Sequence, residues 1–183
     1  MEKIRNRESP VGSWYLDVDG IWEYWGEERS YHHTGPVSTM YALREALRLV
    51  VEEGIENRWE RHRRTAGALK AGVDAMGAPL AVEDEHWLPS LNPVSVPDRV
   101  DETSVIDRLR EEFGIEIVGG LGPLEGDIFR VGCMGHSCRP SKVLDFVRAF
   151  GTVLEANGAG VEPSVGVEAA ASALRTERST ILP

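Results

Sequence analysis

The feature that most constrains the fold is an ordered series of strand and helix patterns in the second half of the sequence. Short apolar runs bounded by glycine or proline predict strands at Leu91–Pro97, Ile115–Gly120 and Asp127–Gly135. Apolar residues three and four positions apart predict helices at Glu102–Phe113 and Arg139–Asn157. Because this order suits helices packed against one small sheet, we predict a small α/β sandwich domain. Its predicted core contains Leu109, Ile117, Val131, Leu144 and Val147.

Two long helices are predicted ahead of this domain. The first spans Pro36–Glu53, with Thr34 as its N-cap. The second spans Ile55–Met76 and closes at Gly77. The first helix carries one apolar stripe, formed by Met40, Leu43, Leu47 and Val50.

The two ends of the chain differ in character. "SWYLDVDGIWEYWGEE", which starts at Ser13, is rich in aromatic residues and predicts a short strand or extended segment, followed by a turn or one helical turn. So many aromatic side chains need a surface to pack against, and a short segment cannot supply that surface alone. Residues 158–183 have many small residues and no apolar stripe, so we expect a mobile tail. The aromatic cluster consists of Trp14, Tyr15, Trp22, Tyr24 and Trp25.

Tyr31, His32, His33 and Thr34 form a polar block directly before the first long helix. A phenol, a hydroxyl and the free N–H groups of a helix start suit an anion, and phosphate is the commonest such anion. The same residues also suit a purely structural role, as an N-cap preceded by packed rings. Both interpretations remain open from these four residues.

Arg130 lies in the middle of a predicted strand, and its side chain should point away from the face of Phe129 and Val131. Such an arginine needs an anionic partner, either an internal carboxylate or the carboxylate of a substrate. The loop "GGLGP", which starts at Gly119, matches neither a P-loop nor a dinucleotide-binding fingerprint. A structural turn is the favoured interpretation of this loop.

Charge and composition exclude several classes of protein. The formal net charge of −10 argues against general binding to nucleic acid or to an anionic membrane. No run of 18 apolar residues and no secretory signal is present, so we expect a cytoplasmic protein. Cys133, His136 and Cys138 lie close together, but they are too few for a zinc site, and a disulfide is disfavoured in the cytoplasm. We therefore predict no metal site.

Four blocks in order resemble the class V aminotransferases, with the closest likeness to the alanine–glyoxylate and serine–pyruvate group. They are "YHHTGPVSTMYALREAL", "GIENRWERH", "IEIVGGLGP" and "FRVGCMG", within a likeness that runs from about Ser13 to Asn157. The resemblance implies pyridoxal 5′-phosphate as cofactor, with an amino acid and a 2-oxo acid as substrates. It also implies that Tyr31 and Thr34 hold the cofactor's phosphate across a dimer interface, and that Arg130 binds the substrate carboxylate.

The resemblance covers only the C-terminal part of such an enzyme. Family members carry their Schiff-base lysine upstream of the matching region, and Lys3, Lys70 and Lys142 match no lysine motif. We therefore expect no catalytic residue in this chain, which would need a large-domain partner or work within a homodimer. The implied fold is the C-terminal part of a fold-type I transferase. The alternative is an inactive fragment or interaction protein that keeps this fold.

This likeness also implies a division of the chain. Residues 1–57 would be the end of the large cofactor-binding domain and part of a dimer interface. Residues 58–157 would be the small C-terminal α/β domain, and residues 158–183 the tail.

Overall fold

The computed structural model describes residues 2–27 and 29–180. The chain divides into two compact units, Met1–Glu52 and Glu53–Pro183, so the division falls ahead of the boundary predicted at residue 57. Within the described residues, no helix is both long and apolar enough to cross a membrane.

The first unit contains helices α1 (Glu2–Arg5), α2 (Val18–Trp25) and α3 (Val37–Glu53), with a 3₁₀ turn at Trp14–Leu16. The predicted strand or extended start of the aromatic segment is therefore wrong, because a 3₁₀ turn lies there, and the predicted turn or single helical turn is the longer helix α2. Asp17 explains why α2 starts where it does, since its carboxylate accepts hydrogen bonds from two backbone N–H groups of the first turn.

Helix α3 confirms the predicted helix but begins three residues after Thr34. Thr34 is therefore not the N-cap, and the amide of Val37 donates to the Gly35 carbonyl instead. The apolar residues of α3 stay in solvent within this chain, and none of its residues is buried. The most exposed of its large apolar side chains are Val37, Tyr41, Leu43 and Val51.

The second unit contains helices α4 (Ile55–Ala75), α5 (Glu102–Phe113), α6 (Pro140–Ala156) and α7 (Pro163–Thr180). Its strands β1 (Leu91–Ser95), β2 (Val118–Gly119) and β3 (Ile128–Gly132) form an antiparallel sheet in the order β1-β3-β2. The predicted strand–helix–strand–strand–helix order is confirmed, and the strands are shorter than their apolar runs.

The core lies between one face of the sheet and the helices. Phe129 on β3 meets Phe150 of α6 edge to face, and Phe150 stacks on Phe146. Four of the five predicted core residues are buried: Leu109, Ile117, Val131 and Val147. Leu144 is only half-buried at the margin of the core, so its prediction was wrong, because α6 turns Val143 inward instead.

The prediction of a mobile tail is also wrong for the described part of the tail. Helix α7 packs against α4 and α6, and its Ala170 and Leu174 are buried in the core. Gly72 of α4 and Gly166 of α7 allow the two helices to approach closely. A Cβ added to Gly166 would lie 3.0 Å from the Gly72 carbonyl oxygen. This contact uses small residues, so it leaves no stripe of large apolar side chains in the sequence.

Candidate functional site

In the first unit, Tyr31 and Thr34 present two hydroxyl groups side by side. The Tyr31 Oη and Thr34 Oγ1 atoms lie 3.1 Å apart, and both side chains are exposed, Tyr31 to 71%. Of the two hydroxyl protons only one is used in their mutual hydrogen bond, and both groups can rotate. With the mutual hydrogen bond kept, the pair can donate one hydrogen bond to an anion, and rotation that breaks the mutual bond allows two.

The aromatic cluster of the first unit holds this polar block in place. Trp14 stacks on His32 with ring centroids 4.2 Å apart, and Tyr15 packs on His33. Tyr24 meets Tyr31 edge to face at 5.6 Å. The need for a packing surface was thus partly met within the unit, a possibility that sequence reasoning missed.

His32 is the one buried residue of the first unit among those that the structure describes. Its Nδ1 atom lies 2.7 Å from Nδ1 of His33, so one ring donates and the other accepts. Its Nε2 atom has no hydrogen-bond partner within the described residues. His32 therefore acts as the packed centre of the block, while Tyr31 and Thr34 form its polar rim.

In the second unit, Arg130 stands on β3 between Pro93 of β1 and Val118 of β2. Phe129 and Val131 are buried, whereas Arg130 is half-buried, as the alternation along the strand predicted. Its Nε atom donates to the Gly119 carbonyl oxygen at 2.6 Å. In the described part of the chain, no carboxylate pairs with Arg130, which leaves the terminal nitrogens of its guanidinium group for an external anion.

The glycine loop after β2 fixes the backbone that holds Arg130. Glu102, at the start of α5, accepts a hydrogen bond from the Gly120 amide at 2.9 Å. A Cβ on Gly120 would lie 1.7 Å from the Leu124 carbonyl oxygen, so no other residue fits this turn. The structural interpretation of the loop agrees with this geometry. Sequence reasoning missed Glu102, because only the fold brings it to the loop.

None of the three lysines has the surroundings of a reactive amine. Lys70 forms ion pairs with Asp74 at 2.8 Å and with Asp84 at 3.6 Å. The hydrogen bond to Asp74 raises the pKa of Lys70, whereas a nucleophilic lysine needs a lowered pKa. Lys3 and Lys142 are exposed.

The two cysteines lie together in the loop after β3, with their Sγ atoms 3.3 Å apart. Both are free thiols and both are buried. The neighbouring Arg61 donates to the Cys138 carbonyl oxygen at 2.6 Å and pairs with Glu53. Within the described residues, they belong to no group of three or more metal ligands; the one such group is the exposed set Glu83, Glu85 and His86.

Comparisons with known proteins find relatives among the glyoxylate aminotransferases. The chain is 44% identical over 161 residues to the (S)-ureidoglycine–glyoxylate transaminase of Bacillus subtilis (strain 168), a match that covers 88% of this chain and 39% of that enzyme. It is 44% identical over 137 residues to the alanine–glyoxylate aminotransferase of Callithrix jacchus, which covers 73% of this chain and 33% of the relative. No family model matches the chain.

The solved structures agree with the sequence relatives. The crystal structure of the ureidoglycine–glyoxylate aminotransferase from Bacillus subtilis matches with a TM-score of 0.88 and 43% identity, over 94% of this chain and 44% of that one. The chain belongs to the class V aminotransferases. As in that family, its fold is the C-terminal part of a fold-type I transferase. This class V chain spans less than half the length of these relatives.

Proposed function

We propose that this chain is the C-terminal part of a glyoxylate-type aminotransferase, which moves an amino group from an amino acid to a 2-oxo acid. The observation that carries this proposal is Arg130, whose guanidinium group is held at Nε while its terminal nitrogens stay unpaired within the described residues. A carboxylate is common to every amino acid and 2-oxo acid, and a guanidinium binds it with two parallel hydrogen bonds.

The hydroxyl pair of the first unit fits the phosphate of pyridoxal 5′-phosphate. Tyr31 and Thr34 offer two donors 3.1 Å apart, and neither hydroxyl is occupied by a helix cap. When bound, this cofactor supplies an electron sink that makes the proton on the substrate Cα removable. Tyr31 and Thr34 would hold the phosphate by hydrogen bonds, and the rings of Trp14, Tyr15 and Tyr24 would keep the block rigid.

Arg130 would orient the substrate through its carboxylate. The hydrogen bond from Nε to Gly119 fixes the plane of the guanidinium group, and Glu102 fixes the backbone beyond it. A guanidinium held in one plane loses less freedom when it binds, so the substrate is oriented at lower cost in free energy. Glyoxylate is the acceptor named for the relatives, and alanine and (S)-ureidoglycine are the donors to test first.

The lysine that anchors the cofactor is proposed to come from the part of the family enzyme that this chain does not match. That part would also cover the exposed apolar face of α3, either within one polypeptide or from a second chain. We further propose a homodimer, because phosphate contacts from a partner subunit are what the family resemblance implies, and a cytoplasmic location.

The test is a chimaera in which this chain replaces the matching C-terminal stretch of the Bacillus subtilis enzyme. Transamination of glyoxylate is then measured with each donor. Arg130→Lys should lower kcat/KM about ten- to a hundred-fold, since a charge-assisted hydrogen bond contributes roughly 1.5–3 kcal/mol. Arg148→Lys, at an exposed arginine on α6, is the matched control and should retain activity. Unchanged kcat/KM in Arg130→Lys would place the carboxylate elsewhere.

The hydroxyl pair is tested in the same chimaera. Tyr31→Phe should weaken cofactor binding about ten- to a hundred-fold, because it removes one hydrogen bond to a charged phosphate, and it should leave the preference among donors unchanged. Tyr41→Phe, an exposed tyrosine on α3, is the control. A change in donor preference with unchanged cofactor affinity would assign Tyr31 to the substrate instead.

The second candidate function is a non-catalytic interaction protein that keeps the aminotransferase fold. It is favoured by the surroundings of the three lysines, of which Lys70 is engaged in ion pairs. A chimaera that folds and binds the cofactor yet transfers no amino group would support this candidate. Turnover that depends on Arg130 would exclude it.

A further inference from the structure

The cysteine pair of the loop after β3 has no part in the proposed transamination, and its geometry suits a different reaction. The Sγ atoms of Cys133 and Cys138 lie 3.3 Å apart, whereas a disulfide needs about 2.05 Å. The amides of Ser137 and Cys138 both donate to the Met134 carbonyl oxygen, so the loop is already folded back on itself. Only a small shift of side chains separates the two thiols from a bond.

A cleft in the second unit reaches one of the two cysteines. A cleft of about 670 Å³ opens beside α6 in the second unit, and Cys133 forms part of its wall together with His136 and Lys142. Cys138 does not line this cleft and is completely buried. A small oxidant can therefore reach Cys133 first, while a bulky disulfide reagent would be hindered.

From this geometry we infer that Cys133 and Cys138 form a reversible dithiol–disulfide site that is oxidised by hydrogen peroxide or a small organic hydroperoxide. This inference is independent of the proposed transamination. It assigns Cys133 as the cysteine that the peroxide oxidises first, and Cys138 as the cysteine that then forms the disulfide with it.

The charges around the pair favour one thiolate over two neutral thiols. The Cys133 thiol donates a hydrogen bond to the Cys138 sulfur, which lowers the pKa of Cys138 and raises the pKa of Cys133. The Thr65 hydroxyl and the Arg61 cation lower the Cys138 pKa further, against the effect of burial. In the resting pair the remaining proton therefore lies on Cys133 and the negative charge on Cys138, and a thiolate is the reactive form of cysteine.

The reaction balances with peroxide as the two-electron oxidant. The Cys133 proton first crosses the hydrogen bond to Cys138, a transfer against the pKa order of the resting pair, and the Cys138 S–H then has the Arg61 carbonyl oxygen as an acceptor at 3.9 Å. The Cys133 thiolate then attacks a peroxide oxygen, the O–O bond breaks, and hydroxide leaves with Cys133 as a sulfenic acid. Hydroxide takes the Cys138 proton, and the Cys138 thiolate attacks Cys133 Sγ. The second hydroxide leaves as water after taking up a proton, so one peroxide yields one disulfide and two waters.

The experiment treats the full chain with one equivalent of hydrogen peroxide and follows free thiols and intact mass. We expect both thiols to be lost, a mass decrease of two hydrogens within one peptide that contains both cysteines, and full recovery with dithiothreitol. Addition of oxygen to either cysteine as the stable product, a disulfide between two chains, or no reaction in the folded chain would each overturn the inference. This measurement on the wild-type chain alone decides whether Cys133 and Cys138 form the disulfide.

Two matched variants test the order of attack. Cys138→Ser should stop at a sulfenic acid on Cys133 that dimedone traps, because no second thiol is present. Cys133→Ser should react much more slowly than the wild type, because Cys138 is shielded from the cleft. Circular dichroism checks that both variants fold. Equal dimedone labelling of the two variants would overturn the assignment of Cys133 as the first thiol.

Discussion

The two compact units use apolar residues in opposite ways. In the second unit, large apolar side chains form a buried core in which Phe129, Phe150 and Leu109 are fully buried, although others such as Trp59 lie at the surface. In the first unit, the tryptophans and the apolar residues of α3 lie at the surface, with Trp22 exposed to 56% and Val51 to 80%. Both units are helical over long stretches, so the difference does not come from secondary structure.

The comparison separates a unit whose apolar residues stabilise its own core from a unit whose apolar residues are available to another surface. The second unit carries a sheet and four helices around one core, which is what independent folding requires. Within the described residues of the first unit, His32 is the one buried side chain, at the centre of the ring contacts of the Tyr31–Thr34 block, and exposed apolar surface of this size indicates an interface. Removing a large apolar side chain should therefore lower the free energy of unfolding much more in the second unit than in the first.

The largest difference is expected between Phe150→Ala and Trp22→Ala. Phe150 is completely buried between two other phenylalanines, so its loss should lower the free energy of unfolding by about 3–5 kcal/mol. Trp22 is mostly in solvent, and its loss should change the free energy by no more than about 0.5 kcal/mol. Urea denaturation followed by circular dichroism measures both. Equal losses would mean that the first unit has a core of its own.

An intermediate effect is expected where α4 and α7 cross. Gly166→Ala places a Cβ against the Gly72 carbonyl oxygen and the Met76 side chain, and should lower the free energy of unfolding by about 1–3 kcal/mol. Gly12→Ala in the first unit is the matched control, because no heavy atom lies within 4 Å of its added Cβ. If Gly166→Ala is as harmless as Gly12→Ala, α7 does not dock as described.

The smallest expected effect is on how the stability of the second unit depends on pH. The hydrogen bond from Arg61 lowers the pKa of Glu53, and the charges of Arg61 and Arg58 lower it further. A carboxylate with a lowered pKa in the folded state stabilises the protein above its unfolded pKa of about 4.3. That stabilisation is lost as the pH falls through the folded pKa.

Glu53→Gln should therefore flatten the decline of the urea midpoint between neutral and acidic pH. Glu60→Gln removes a more exposed ion pair with Arg63 and serves as the control. The same acid dependence in wild type and Glu53→Gln would show that the Arg61 pair does not contribute to stability.

The sequence predicted those elements whose apolar residues are large and periodic. Helix α5 was predicted with its bounds, because Val105 and Leu109 alternate with charged residues and Gly114 ends the helix. Helix α7 was missed, because its contacts with α4 are made by glycine and alanine, which leave no stripe. The aromatic segment was also assigned wrongly, since Trp and Tyr favour strands by propensity and only the Asp17 cap signals a helix.

The face of the sheet on which Arg130 lies could be predicted from the sequence, whereas the contacts that hold it in place could not. The alternation of Phe129, Arg130 and Val131 placed the arginine on the outer face, and the structure agrees. The contact between Glu102 and the Gly120 amide joins residues from two elements, so no local pattern could reveal it. The same applies to the cysteine pair. A spacing of five residues does not tell whether the two thiols are neighbours, and only the structure gives their burial and their Sγ distance.

The crossing of α4 and α7 also bears on the order of biosynthesis. Gly72 and Gly166 lie about 90 residues apart in the chain, and contacts this distant are slow to form. A ribosome releases α4 long before α7, so the face of α4 around Gly72 and Met76, which contacts Gly166 of α7, remains uncovered on the nascent chain during that interval. Helix α7 thus covers part of α4 late, and until it emerges the growing polypeptide offers chaperones a hydrophobic helix face.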